Sequence, residues 1–446
     1  MITTYVGIDV HKSFCVASFI NLEGEEVNSL RFDTTKESIL AFAAEKLNNE
    51  CLVTFESTTN AWGILEILEP YVHGIVVSNP RKTKAIAEAK IKTDKVDARV
   101  LGELLRVNYL PTVWTPDKET RNLRQRMGRR RSLVEQRTAV KNRLHSILHQ
   151  EIIKVPFDSL FNKKGREWLK TVELIEWARD AVDSDLRILA TIENEIELLD
   201  SVLVKLGYSN DKIKLLMTLP GVDYNTALSV LAALGDINRF SEADKVAGYL
   251  GLVPSTKQSA NKCYYGRITK QGNTNARWML IQAAQHVRNH PGPIGNFYRK
   301  LAKKKNHNVA VVASARKLAT YVYYMLKNNE PYRYAQPKST EAKLSKLRIK
   351  ATGERRVGGN KKGEGRHQNY GSGKSTRYVR SVNELYENEG IPIVASFDEL
   401  APGEQKHLRA NKLVGMVRDI HKGKREEKRK FKQKNYKKRK IKCQFS

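Results

Sequence analysis

The chain has 446 residues, 40% of them hydrophobic, which allows two or three domains with real cores and excludes a protein disordered throughout. Its 79 Lys+Arg against 48 Asp+Glu leave a net charge of +31, which favours a polyanionic partner, most simply nucleic acid; a membrane surface is the weaker alternative, because no apolar run is long enough to span and no cationic amphipathic anchor opens the chain. We expect no signal peptide, because the chain as read goes straight into a strand, and Cys15, Cys51, Cys263 and Cys443 are scattered without paired spacing, which argues for a reducing cytosol and against a disulfide frame or a zinc knuckle.

Residues 3 to 33 read as three successive strands joined by tight polar turns, Asn21-Leu22-Glu23-Gly24 being the clearest. The first strand, in Tyr5-Val6-Gly7-Ile8-Asp9-Val10-His11-Lys12, delivers one carboxylate, Asp9, at its end. Thr34-Thr35-Lys36-Glu37 has the spacing of a capping box and opens a helix to about Leu47. A buried strand, Leu52 to Phe55, then ends in Glu56, and a helix from about Ala61 to Leu68 leads to a strand from Gly74 to Val77. Three meandering strands followed by strand–helix–strand is the order of a ribonuclease H-like α/β fold, whose sites gather at the carboxyl ends of strands.

In Lys92-Thr93-Asp94-Lys95-Val96-Asp97-Ala98-Arg99, Thr93 can cap a helix running to about Val107, and Asp94 and Asp97 share one face of its first turn. Acids alone are common there, where the helix dipole favours them. Together with Asp9 and Glu56 they make a four-carboxylate metal site. Hard oxygen ligands without a Cys or His triad suit Mg²⁺ or Mn²⁺, and two such ions suit phosphoryl transfer.

Pro111 and Pro116 mark a boundary. Beyond it, Arg121 to Gln150 predicts a long basic helix whose apolar seam is interrupted by Arg130, Arg137 and Lys141. A second helix covers about Leu174 to Leu206, with Leu189, Ile192, Ile196, Leu199, Leu203 and Leu206 at coiled-coil spacing. We expect this arm to dimerise the protein; an internal hairpin is the alternative. Residues 213 to 240 read as helix, Leu219-Pro220-Gly221-Val222 turn, helix, with Gly235 as C-cap, resembling a helix-hairpin-helix that meets DNA phosphates; a plain αα-corner is the alternative. Between Gly248 and Asn273 the spacing predicts a flexible loop carrying Lys257, Lys262, Arg267 and Lys270, apt to hold a phosphate. Helices from Asn275 to Arg288 and Val309 to Leu326 close that domain. After Tyr334 the character changes: residues 336 to 446 hold 30 Lys+Arg and 12 Asp+Glu, with Gly-rich pieces around 357–360 and 370–373, a helix from about Pro402 to His421, and a basic run from Lys422 to Lys442. This predicts a largely flexible tail that binds nucleic acid without sequence preference.

With these residues in view, residues 3 to 333 resemble the DEDD insertion-sequence transposases, the IS-one-ten group that includes the Piv-type DNA invertases. The N-terminal match is Asp9 in GIDVHK, Glu56 in TFEST, and Asp94 and Asp97 in KTDKVDAR; the C-terminal match is LPGV, then GYLGLVP, then GRITKQGN followed by Arg277. The resemblance implies a RuvC-like domain (residues 1–112) that binds Mg²⁺ or Mn²⁺ through the four acids. A helical coiled-coil arm (113–208) follows, then a C-terminal transposase domain (209–334) and a basic tail (335–446). It also implies a serine that attacks the scissile phosphate to form a phosphoserine link to DNA. That serine maps best onto Ser259, with Ser255 as the alternative. Lys257, Lys262, Arg267, Lys270, Asn273 and Arg277 are the expected nucleic-acid contacts. The implied partners are donor and target DNA and a structured noncoding bridge RNA; we expect a homodimer that assembles to a tetramer in the active complex, in the cytoplasm with the nucleoid.

Two other readings stand beside this one. A junction-resolving nuclease would use the four acids with metal-activated water and no serine. A noncatalytic DNA- or RNA-binding scaffold would need neither.

Overall fold

The alternating apolar residues of the first 80 positions are satisfied by a single sheet. In the computed structural model, which describes residues 1–86, 93–259, 262–354 and 376–427, β1 (Thr4–Val10), β2 (Phe14–Ile20) and β3 (Glu26–Asp33) form an antiparallel meander. Helix α1 (Lys36–Lys46) follows, capped by Thr35 through Ser38 N–H, then β4 (Cys51–Glu56), α2 (Ala61–Leu68), β5 (Gly74–Ser78), α3 (Pro80–Ile86) and α4 (Asp94–Arg106). β4 joins β1 in parallel and β5 joins β4 in parallel, giving the order β3-β2-β1-β4-β5. This is the mixed sheet of a ribonuclease H-like fold, as the strand pattern predicts.

Period-two alternation gives the sheet two faces. Val6, Ile8, Phe19, Val53 and Phe55 pack against Phe42 of α1 and Ile64 and Leu65 of α2. On the other face Leu101 and Leu105 of α4 meet Tyr5, Leu52 and Val76. Gly7 makes this second layer close: a Cβ there would lie 2.0 Å from the Ala98 carbonyl oxygen and 2.5 Å from Gly102 N. Residues 1–116 form one compact unit.

The second unit, Asp117–Ser446, takes in the expected arm, transposase domain and tail together. α5 (Lys118–Gln150) and α7 (Glu176–Ser209), with α6 (Lys163–Thr171) between them, pack on each other within the chain; Leu133, Val140 and Leu144 of α5 bury Leu189, Ile192 and Ile196 of α7. This is the internal pairing. Two of the three cations that interrupt the α5 seam meet acids of α7: Arg130 holds Asp200 through two hydrogen bonds (2.5 and 3.1 Å) and Lys141 lies 3.5 Å from Glu193. Leu206, expected in the seam, is 37% exposed.

The predicted hairpin of helices is α8 (Asp211–Leu216) and α9 (Tyr224–Leu234), closed by Gly235 at φ 60°. After α10 (Ala243–Tyr249) the structure corrects the expectation of a flexible loop: Pro254–Ser259 (β6) and Lys262–Ile268 (β7) pair as an antiparallel hairpin. α11 (Thr274–Val287), α12 (Pro293–Ala302) and α13 (His307–Asn328) follow.

The expected flexible tail is corrected too. Its described part folds into α14 (Pro337–Thr352), β8 (Thr376–Val379), α15 (Val382–Asn388), α16 (Pro402–Ala410), α17 (Val414–Ile420) and β9 (Lys424–Glu427). The reason is apolar content hidden among the charges: Leu344, Leu347, Leu385, Tyr386, Phe397 and Val417 enter the same core as Leu216, Leu228 and Leu318. The helix expected from Pro402 to His421 is broken at Lys412, whose φ is 56°. The Gly-rich pieces and most of the basic run lie outside the described residues. No described helix is long and apolar enough to cross a membrane.

Candidate active site

Two separate parts of the chain carry candidate chemistry, and each is built by close backbone packing. In the first unit, Asp9 is the penultimate residue of β1 and lies on the strand face shared by Tyr5 and Gly7, toward α4. α4 begins with Thr93 as N-cap, its side chain accepting from Val96 N–H (3.3 Å), so Asp94 and Asp97 occupy the first turn. The Gly7 contact brings that turn to the end of β1. The carboxylates meet at His11: its Nε2 lies 3.0 Å from Asp9 Oδ2 and 3.1 Å from Asp94 Oδ1.

One ligand atom each from Asp9, His11 and Asp94 lie within 4.8 Å of one another, a spacing that could hold a metal ion. The electrostatics agree. Burial pushes the Asp9 carboxyl up, His11 pulls it down, and the charges of Asp97 and Asp94 push it up again. Negative charge is therefore in excess, which a bound cation would relieve. Glu56, the last residue of β4, follows Phe55, which pairs with Ile8 next to Asp9, so the two acids close adjacent strand ends. Glu56 and Asp97 stand outside the group of three ligand atoms. His11 is the residue that sequence reasoning missed. Its signal was present: it follows Asp9 by two positions, just past the strand end.

In the second unit, the blocks GYLGLVP and GRITKQGN close on each other. Gly251 (φ 67°) and Gly272 (φ 72°) allow it: a Cβ on Gly251 would be 2.4 Å from Gln271 O, and one on Gly272 would be 2.0 Å from Tyr249 O. Arg277, expected to contact nucleic acid, is instead 6% exposed and donates to Leu250 O (3.1 Å) and Gln271 O (2.8 Å), so it ties the two blocks together. Asn273 caps α11 by accepting from Ala276 N–H (3.0 Å).

From this root the β6–β7 hairpin projects with Lys257, Lys262, Arg267, Tyr264 and Tyr265 exposed. Lys270 is exposed at its base with φ 55°. Ser259 pairs with Lys262 beside the hairpin turn; Ala260 and Asn261 of that turn lie outside the described residues. Ser255 sits at a register shift, opposite Gly266, where a Cβ would come within 2.4 Å of Ser255 Oγ.

Comparison with known proteins also finds two matching blocks, one holding the acids and one holding the hairpin. A family model described as "Transposase" matches residues 6–153, which hold the four acids, and one described as "Transposase IS116/IS110/IS902 family" matches residues 213–299, which hold the hairpin. Together they take in more than half of the chain. The transposase for insertion sequence element IS1111A of Coxiella burnetii is 27% identical over 57% of this chain and 72% of its own length. The pilin gene-inverting protein of Moraxella bovis is 26% identical over 74% of this chain and 98% of its own. The transposase for insertion sequence element IS1328 of Yersinia enterocolitica is 23% identical over 60% and 81%. A chain with clustered acids at a ribonuclease H-like sheet end, followed by the motif blocks of the second match in the right order, belongs to the IS110/IS116 family of transposases, enzymes of DNA recombination.

Proposed function

We propose that this transposase cuts and rejoins DNA through a phosphoserine intermediate, with Asp9, Glu56, Asp94 and Asp97 holding Mg²⁺ or Mn²⁺ and Ser259 as nucleophile. The observation that carries the metal-binding part of the reading is the meeting of Asp9 and Asp94 at His11 with Asp97 near by, which leaves negative charge in excess. A divalent cation bound there would polarise a phosphate oxygen and favour the ionised form of an attacking hydroxyl. The chain's own residues do the rest. The acids would hold the cation between the ends of β1 and β4 and the first turn of α4. The Ser259 oxygen bonds to phosphorus as the bond from phosphorus to a deoxyribose oxygen breaks, and its proton is taken up by a base. Lys257, Lys262 and Arg267 offset the charge that builds on the phosphate. The covalent link conserves the energy of the phosphodiester, so rejoining needs no ATP.

Further support comes from the relative named for inverting a gene, since inversion requires strands to be cut and resealed. The excess of 30 Lys+Arg over 12 Asp+Glu in residues 336–446 suits a second polyanion, and we propose a structured guide RNA that pairs with donor and target DNA. The test is adduct trapping on denaturing gels with Mg²⁺ or Mn²⁺. Wild type is expected to give a protein–DNA adduct, Ser259→Ala and Asp9→Ala none. An adduct that persists in Ser259→Ala and disappears in Ser255→Ala reassigns the nucleophile. Metal-dependent cleavage with no adduct in any variant replaces the serine by water.

A further inference from the structure

A groove of about 1070 Å³ lies between α5, α9, α11 and α14, lined by neither the four acids nor the two candidate serines. We propose that it is a binding site for unpaired nucleotides of a single-stranded nucleic acid. This rests on the chain acting on nucleic acid, but on neither the acids nor the serine.

Three kinds of group line the groove. Trp278 of α11 is 50% exposed and offers an aromatic face. Asn225, Asn275, Gln282 and Asn289 offer amides, which hydrogen-bond both donors and acceptors on base edges. Arg137 on α5 supplies positive charge along one wall. The acids at the groove have other work: Asp223 caps α9 by accepting from Thr226 N–H (2.8 Å), and Glu135 accepts from Arg131 (2.8 Å). Asn225 is 8% exposed, and its Oδ1 accepts no hydrogen bond from any described residue. A buried amide oxygen left so is destabilising unless a ligand meets it.

This combination points to unpaired bases rather than to duplex. In a duplex the base faces are covered by stacking, so the Trp278 ring cannot lie on one, whereas an unpaired base offers its face to the ring and its free pairing edge to the amides. The volume exceeds that of a compact ligand pocket and can hold more than one nucleotide. The fourth wall is closed by Gln336, just before α14, and by Ser339 and Lys343 of α14. The Nζ of Lys343 donates to Leu219 O (2.6 Å) and Val222 O (3.0 Å), which fixes the Pro220-Gly221 turn at the rim. α14 lies beyond residue 299, where the second family match ends. The groove is therefore completed by a segment beyond that match.

The test is fluorescence anisotropy with full-length protein in chelator, using labelled oligothymidine, labelled oligouridine and a labelled duplex. Trp278→Ala is expected to weaken single-strand binding roughly tenfold, with duplex binding unchanged and the same thermal melt; Trp278→Phe should restore it. A loss confined to the DNA or to the RNA strand upholds the groove and names its ligand. Equal losses on duplex and single strands, or no loss at all, overturn it. Because no cleavage is read, the result is independent of the adduct assay.

Discussion

Gly7 and Ala98 are in contact across the two layers of the first unit: a methyl group on Gly7 would sit 2.0 Å from the Ala98 carbonyl oxygen. That contact allows the first turn of α4 to stand over the end of β1. Gly7→Ala must push α4 away, and overpacking of this kind costs about 1–3 kcal/mol. We expect a lower melting temperature for the variant and a larger fall in DNA cleavage than the stability change explains. Thermal melts and cleavage rates, both taken well below the melting point, separate the two effects.

Metal binding should stabilise the first unit. A cation present at about a hundred times its dissociation constant adds about 2.7 kcal/mol. Mn²⁺ is expected to raise the melting temperature of wild type and to leave Asp9→Asn and Asp94→Asn unmoved. Burial raises the Asp9 carboxyl first, with Asp97 and Asp94 adding to it. Protons therefore compete with the cation at higher pH than for an ordinary aspartate, and the shift should shrink as the solution is acidified. An equal shift in all three proteins would remove these acids from the site.

Arg277 holds the hairpin root through Leu250 O and Gln271 O. Arg277→Met leaves two carbonyls without their donor, at about 1–3 kcal/mol for each one left buried. The expected result is faster proteolytic nicking between residues 254 and 268, with residues 1–116 cut no faster than in wild type. Nicking at the wild-type rate would mean that the glycine contacts alone hold the root.

Tyr386 of α15 is fully buried and donates to Tyr332 O (2.8 Å), which ties the C-terminal extension to the domain core. Tyr386→Ala is expected to cost about 3–5 kcal/mol, as large-to-small core changes do. A urea titration would read this as a lower midpoint for the second unit. A flexible tail would show no change.

His290 gives the second unit an acid sensitivity. Burial, with Lys343 and Arg299 adding to it, holds the imidazole at about 4 against an ordinary 6.5. Between those values the unfolded chain binds the extra proton and the folded chain does not, so stability falls as pH falls through that window. The full loss is about 3 kcal/mol. His290→Gln should flatten the stability profile between 6.5 and 4, measured by urea unfolding at several pH values. A profile as steep as wild type would assign the acid loss to carboxylates.

By itself the sequence determined the meander, the capped helices, the acids and the motif blocks. Local spacing carries these: period two for Val6 and Ile8, a cap at Thr93, glycines at Gly251 and Gly272. Only the tertiary structure decided the rest. His11 joins Asp9 and Asp94 because α4 folds back over β1, a contact between residues more than 80 positions apart. Arg277 resembled a surface cation until its neighbours were known, since burial of a guanidinium depends on which carbonyls reach it. The C-terminal extension looked flexible because charge dominates its composition, whereas a few apolar side chains, placed on a core built far upstream, were enough to fold it.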